Sequence, residues 1–154
     1  PSNKTTVVES STDYGIEYTG IDGLKIGAAS GDNNATANAK VDLTNMYAVY
    51  TMDSISVGYQ RGAVAVEAAA KGIYINEDIG ISYKISDDLS VSYNEAESRK
   101  SADTSDVTQD WSSLSLSYTV GGMTLGIVDQ EVDNATYTSG RTSEETAFQM
   151  TVAF

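Results

Sequence analysis

The 154-residue sequence contains no cysteine and no histidine. Without cysteine there is no disulfide framework and no thiol nucleophile, and without histidine there is no general base with an ordinary pKa near neutrality. Zinc sites built from these two residue types are excluded for the same reason. We therefore predict no catalytic residue, no metal ligand and no cofactor, and we expect that the protein is not an enzyme.

Basic residues and long apolar runs are also scarce. The sequence has nine Lys and Arg residues and 22 Asp and Glu residues, which gives a net charge of -13 and argues against nucleic acid as a partner. The longest apolar stretch, GAVAVEAAAKGI, is interrupted by Glu67 and Lys71 and is shorter than the roughly 20 residues of a membrane-spanning helix. A membrane-spanning β-barrel is not excluded, because each strand needs only about ten residues and only alternate side chains meet lipid.

What the sequence does contain is strict alternation of apolar with small or polar residues. In IGISYKI, for example, Ile81 and Tyr83 share one face while Ser82 and Lys84 share the other, which is the pattern of a β-strand. The pattern recurs around residues 14–18, 24–28, 46–52, 55–59, 79–85, 89–93, 114–120, 123–127 and 148–154. We therefore predict an all-β chain of about nine strands.

Short and long connections alternate between these strands. Tight turns rich in Gly, Asp and Ser are predicted at residues 21–23, 53–54, 86–88 and 121–122. Long outer loops are predicted at about 31–42, 61–72, 96–110 and 129–145, where AVAVEAAAK is either a loop helix or a continuation of the flanking strands. This organisation favours an antiparallel up-and-down transmembrane β-barrel over a Greek-key sandwich, which would mix connection lengths.

An aromatic residue recurs near one end of the apolar face. It precedes the short turn, or the chain end, in five strands, at Tyr18, Tyr50, Tyr83, Tyr118 and Phe154. A ring of aromatic side chains at one height is typical of a lipid–water interface, although cross-strand aromatic pairs in an ordinary sheet would give a similar pattern.

The opposite face is dominated by Ser, Gly, Thr, Asn and Ala, with occasional charges. Small polar side chains suit the lining of a water-filled lumen, so we expect the apolar face to point outward to lipid or a neighbouring subunit and this face to point inward. The pore-lining candidates are Glu17, Lys25, Gln60, Lys84, Asn94, Ser115, Ser117 and Gln149.

Several segments together carry a family resemblance. AFQMTVAF, NMYAVYTMDSISVGYQ, GISYKISDDLSVSYNEAES and LSLSYTVGGMTLGI resemble the C-terminal part of general bacterial porins, particularly those of alphaproteobacteria. The resemblance implies a homotrimer of barrels with about sixteen strands in the outer membrane of a Gram-negative bacterium, in contact with outer-membrane lipid. It also implies passive diffusion of small hydrophilic solutes and ions, and a C-terminal signal read by the barrel-assembly machinery. The signal residues would be Phe148, Met150, Val152 and Phe154.

The strand count disagrees with a complete porin. Complete bacterial barrels have an even number of strands with both ends in the periplasm, whereas nine strands would leave the two ends on opposite sides. We therefore expect residues 1–154 to be the C-terminal portion of a barrel whose N-terminal strands are missing. The first and last strands should then be open edges of one antiparallel sheet.

Two alternatives accompany this interpretation. Clustered carboxylates, such as Glu97 with Asp103, Asp106 and Asp110, offer the oxygen ligands of calcium, but no loop has EF-hand spacing and solvated acidic loops are the preferred interpretation. A secreted or surface-exposed β-structured adhesion module is the alternative function, and an outer-membrane barrel enzyme is a third. A detergent requirement separates a lipid-facing barrel from a soluble module.

Overall fold

A computed structural model describes residues 10–36, 39–67, 72–102 and 106–152. The elements are β1 (Ser10–Ile21), β2 (Leu24–Thr36), β3 (Ala39–Met52), β4 (Ile55–Glu67), β5 (Gly72–Lys84), β6 (Leu89–Ala102), β7 (Asp106–Val120), β8 (Met123–Asp133), a 3-10 helix (Ala135–Tyr137) and β9 (Ser143–Val152). No helix within these ranges is both long and apolar enough to cross a membrane.

All nine strands belong to one sheet, in the order β1-β2-β3-β4-β5-β6-β7-β8-β9. Each strand pairs antiparallel with the next along the chain. The predicted up-and-down antiparallel architecture is therefore confirmed. Within the described ranges β1 and β9 do not pair with each other, so the sheet is open at both edges, as predicted.

The strands are longer than the alternation predicted, and the predicted loop boundaries are wrong. The pairing of β6 with β7 runs from Leu89↔Tyr118 to Ser101↔Asp106, through most of the predicted 96–110 loop. β3 likewise begins inside the predicted 31–42 loop, and AVAVE is the end of β4 rather than a helix. The backbone ladder does not depend on side-chain polarity, so the strands continue where both faces have become polar and the alternation has disappeared.

The predicted short connections are confirmed. Gly23, Gly121 and Gly122 all have positive φ values, of 72°, 56° and 81°. Asp53, in the turn between β3 and β4, has a φ of 51°, which Asp tolerates better than most residues. Turn residues therefore supply the left-handed conformations that tight hairpins require.

The sheet is a single layer without a core of its own. Ala135 is the only buried hydrophobic residue among those described, and it lies outside the strands. Large apolar side chains are exposed along every strand, from Tyr14 and Ile16 in β1 to Phe148 and Met150 in β9. Such a sheet must bury one face against something other than this part of the chain.

Gly23 gives a stability test of the turn between β1 and β2. A Cβ on Gly23 would lie 2.2 Å from the carbonyl oxygen of Thr51, and the φ of +72° disfavours any side chain. We expect Gly23→Ala to lower the free energy of unfolding by about 1–3 kcal/mol. Urea unfolding in lipid vesicles, followed by the fluorescence of the single tryptophan, Trp111, measures the loss.

Gly58→Ala is the matched control. A Cβ on Gly58 would meet nothing closer than Val49 Cγ2 at 3.7 Å, so this substitution should change stability much less. Equal unfolding midpoints for the two variants would contradict the turn geometry.

Candidate functional site

Cross-strand register fixes which side chains share a face, because directly paired residues project to the same side of a sheet. One face is here called the apolar face. It contains the row Tyr18, Ile26, Ala48, Tyr59 and Ile79, in which each residue pairs with the next. The other, here the small-polar face, contains the row Ser56, Ser82, Ser92 and Ser115. The alternation seen in the sequence is therefore continuous across neighbouring strands.

The register places all the pore-lining candidates on the small-polar face. They are Glu17, Lys25, Gln60, Lys84, Asn94, Ser115, Ser117 and Gln149. The residues predicted to point outward lie on the apolar face and are exposed, including Leu116 (42%) and Met150 (65%). The separation of the two sets onto opposite faces is confirmed, whereas the pore-lining role itself stays a prediction.

The aromatic residues predicted to form a ring share one face where the structure describes them, and the ring itself stays a prediction. Tyr18, Tyr50, Tyr83 and Tyr118 all lie on the apolar face and are exposed. Phe154 lies outside the described residues. The other members of the proposed assembly signal, Phe148, Met150 and Val152, project from the apolar face of β9, and their recognition by an assembly machinery stays a prediction.

The apolar face changes to polar along a staggered line that moves from one cross-strand register to another as it crosses the sheet, here called the boundary row. Its pairs are Ser30 with Thr44, Arg61 with Glu77, Glu95 with Ser112, and Asp129 with Thr146. Thr146 donates a hydrogen bond of 2.6 Å to Asp129. The hairpin of β4 and β5 is an exception, because Ile73 and Ile75 continue the apolar face beyond this row.

Two tyrosines mark the apolar side of the boundary row, and sequence reasoning did not assign them this position. Tyr59 donates a hydrogen bond of 3.1 Å to Glu77, which also lies 3.3 Å from the Arg61 guanidinium. Tyr93 donates one of 2.8 Å to Glu95. An aromatic ring on the apolar side with its hydroxyl on the polar side is the arrangement that a lipid–water interface favours.

Carboxylates dominate the same face beyond the boundary row. Glu97, Asp110 and Asp133 are directly paired across β6, β7 and β8, and Glu131 is paired with Glu144. Like charges in direct cross-strand pairs are destabilising unless water and counterions screen them. No group of residues able to hold a metal occurs in the described ranges, which exclude Asp103.

The small-polar face contains a contact across a glycine. Tyr47 donates a hydrogen bond to Glu17 over Gly27, which is paired with both residues. A Cβ on Gly27 would lie 2.4 Å from the Tyr47 ring, so the glycine makes room for this contact. Sequence reasoning missed Tyr47, although the alternation predicted for residues 46–52 already places it on this face.

The connection between β8 and β9, residues 134–142 and here called the strap, lies across the small-polar face. Asn134 donates a hydrogen bond of 2.9 Å to the Thr108 carbonyl of β7 and accepts one of 2.9 Å from the Gly140 amide. The amide of Thr136 donates one of 2.8 Å to the side chain of Gln109, which belongs to that face. These contacts tie the strap to β7 and to itself.

Tyr137 extends the strap toward β6 and β5. Its hydroxyl lies 2.7 Å from Ser98 Oγ, and its ring meets the Tyr74 ring edge-on with centroids 5.7 Å apart. The Lys100 ammonium lies 5.6 Å from the Tyr74 ring and 5.7 Å from the Tyr137 ring, within the range of cation–π attraction. Tyr74, Ser98 and Lys100 all project from the small-polar face.

The strap is held in a strained conformation. Asn134, Thr136 and Tyr137 have φ values of 50°, 58° and 54°, in the left-handed region that costs about 1–3 kcal/mol for a non-glycine residue. Ala135, between them, is 8% exposed. Such a conformation persists only where surrounding contacts fix it, so the strap is a packed part of this face.

Comparison with solved structures identifies the architecture. An in-vitro folded OmpT, an outer membrane protein of Vibrio cholerae, superposes with a TM-score of 0.68 at 14% identity, over 92% of this chain and 52% of that one. The chain has an outer-membrane β-barrel fold. A trimer form of the same Vibrio protein gives 0.68 at 15% identity, over 92% of this chain and 54% of that barrel. This chain therefore spans about half the length of both barrels. No protein-family model and no curated protein sequence matches it.

The two faces of the barrel wall can be tested with one charge. We expect Leu116→Arg to make folding into lipid vesicles less favourable by about 2–4 kcal/mol, because it places a charge on the face assigned to lipid. Ser115→Arg, one residue away on the opposite face, should cost much less and should change conductance instead. Similar folding costs at the two positions would contradict the assignment of faces.

Proposed function

We propose that this protein is part of an outer-membrane porin, a water-filled channel for passive diffusion of small hydrophilic solutes and ions. The observation that carries the proposal is the separation of an exposed apolar face from a small-polar face along all nine strands. When such a sheet curves into a closed barrel with its apolar face in lipid, the small-polar face lines the interior. Small side chains leave room there for water and solutes.

Closure of the barrel requires further strands. In hydrocarbon each unpaired backbone N–H or C=O costs several kcal/mol, so the edges of β1 and β9 must be paired in the native assembly. We propose that residues 1–154 are the C-terminal portion of the barrel and that strands outside them complete it. The coverage of about half of the Vibrio barrels is consistent with this proposal.

The proposed setting is the outer membrane of a Gram-negative bacterium. The apolar face, with tyrosines near both of its limits, fits a lipid layer bounded by water on two sides. A homotrimer is proposed as the assembly, and the trimer form of the Vibrio protein supports it by analogy. Insertion by the barrel-assembly machinery through Phe148, Met150, Val152 and Phe154 belongs to the same proposal.

The exposed apolar face disfavours the alternative of a soluble adhesion module. Such a module would present Ile16, Met46, Leu114 and Phe148 to water, and each is more than half exposed. A contiguous apolar surface of this kind leads soluble proteins to associate. We propose no enzymatic activity.

Liposome swelling tests the channel directly. Vesicles containing the complete barrel, in which further strands close the sheet of residues 1–154, should swell in isosmotic solutions of small sugars, at rates that fall as the sugar becomes larger, because passive diffusion through a wet pore discriminates by size. Correct insertion is checked by protection of the lipid-embedded strands from protease. Inserted protein whose vesicles remain impermeable to the smallest sugar would refute the channel.

The negative charge of the protein predicts that the proposed channel conducts cations slightly better than anions. The acidic residues beyond the boundary row and the net charge of -13 raise the local cation concentration at the mouth. Reversal potentials in a salt gradient should therefore favour cations, and the preference should weaken at higher ionic strength because the Debye length shortens. Anion preference at low salt would contradict this prediction.

A further inference from the structure

The strap leaves its own strands and crosses to others. Neighbouring strands lie roughly 4.8 Å apart, so the path from β8 to Tyr74 on β5 covers on the order of 14 Å. The strap contacts β7, β6 and β5 on their small-polar faces. If the sheet curves with this face inward, the strap therefore crosses the inside of the curve like a chord. In the proposed channel this chord narrows the lumen on the side of the long connections.

Lys100 is the charge at the far end of this chord. Its ammonium lies against the rings of Tyr74 and Tyr137, and no ion pair with a carboxylate of the described residues neutralises it. Its direct cross-strand partners are Tyr74 and Val107, neither of which has a carboxylate. Cation–π contact orients the ammonium without removing its charge, so its field acts on ions beside the strap.

We propose that the strap is a fixed constriction of the channel and that Lys100 determines how that constriction discriminates between cations and anions. This inference rests on the proposed channel function. Tyr137 is a positioning residue, because it acts by fixing the strap on the wall through Tyr74, Ser98 and Lys100. The positive charge opposes the cation preference created by the acidic residues farther out, which keeps the preference mild.

Substitution of adjacent residues on β6 tests the role of the charge. Lys100→Gln should raise the cation-to-anion permeability ratio roughly twofold in bilayer recordings, because it removes the positive charge beside the strap. Lys100→Arg should restore the wild-type ratio. Arg99→Gln is the matched control, since Arg99 carries the same charge on the opposite face and should have a much smaller effect.

Cysteine labelling tests the position of the strap without relying on conduction. The chain contains no cysteine, so a single engineered thiol reports its own accessibility. Ser98→Cys, beneath Tyr137, should react with a bulky membrane-impermeant maleimide about tenfold more slowly than Ser92→Cys on the same strand and face. Adding Tyr137→Ala to Ser98→Cys should remove the protection and raise single-channel conductance.

The outcomes separate this inference from the proposed function. Equal shifts of reversal potential for Lys100→Gln and Arg99→Gln would overturn the role of Lys100, and equally fast labelling at Ser98→Cys and Ser92→Cys would overturn the strap. If the wild-type protein forms no channel, the proposed function fails and the selectivity role of Lys100 falls with it. Slow labelling at Ser98→Cys would even then support the inward position of the strap.

Discussion

The backbone hydrogen-bond ladder is the interaction on which the rest of this structure depends. The described residues bury almost no side chain, so packing within the chain contributes little and each strand is fixed by its neighbours on either side. The ladder satisfies backbone N–H and C=O groups independently of side chains, which leaves both faces available for other purposes. One face can then be matched to lipid and the other to water, provided that strands from elsewhere satisfy the two edges.

Continuation of the ladder beyond the apolar face explains the features at the long-connection side. Once Glu95 and Ser112 have ended the apolar face, the strands carry polar residues on both sides, and Glu97, Asp110 and Asp133 become direct neighbours. The same extension carries Tyr74, Ser98 and Lys100 to a height that the strap can reach. The strap therefore depends on strands that the apolar pattern alone does not require.

Sequence reasoning succeeded where one face is uniformly apolar and failed where neither face is. The strand at IGISYKI was predicted correctly because every second side chain is apolar. The pairing of neighbouring strands then follows from the positions of the short turns. The loop boundaries were wrong because residues 96–101 pair as a strand with residues 106–111, and most side chains on both faces there are polar. The strap could not be predicted, since Tyr137 meets Tyr74 and Ser98 across distant parts of the sequence, and left-handed backbone at Thr136 and Tyr137 has no composition signal. The extra tyrosines at the boundary row were predictable in principle, because each immediately precedes the first charged residue of its face.

The boundary row also limits membrane thickness. Between the short turns and this row, strands such as β6, with Leu89, Val91 and Tyr93, present only three apolar side chains on the apolar face. Alternate residues are roughly 6.6 Å apart along a strand, and a tilt of about 40° shortens their projection on the membrane normal further. The apolar height at such strands is thus well below the ~30 Å hydrocarbon core of an ordinary bilayer. Each ångström of mismatch costs a fraction of a kcal/mol, so this wall suits a thin membrane and would compress a thicker one around itself.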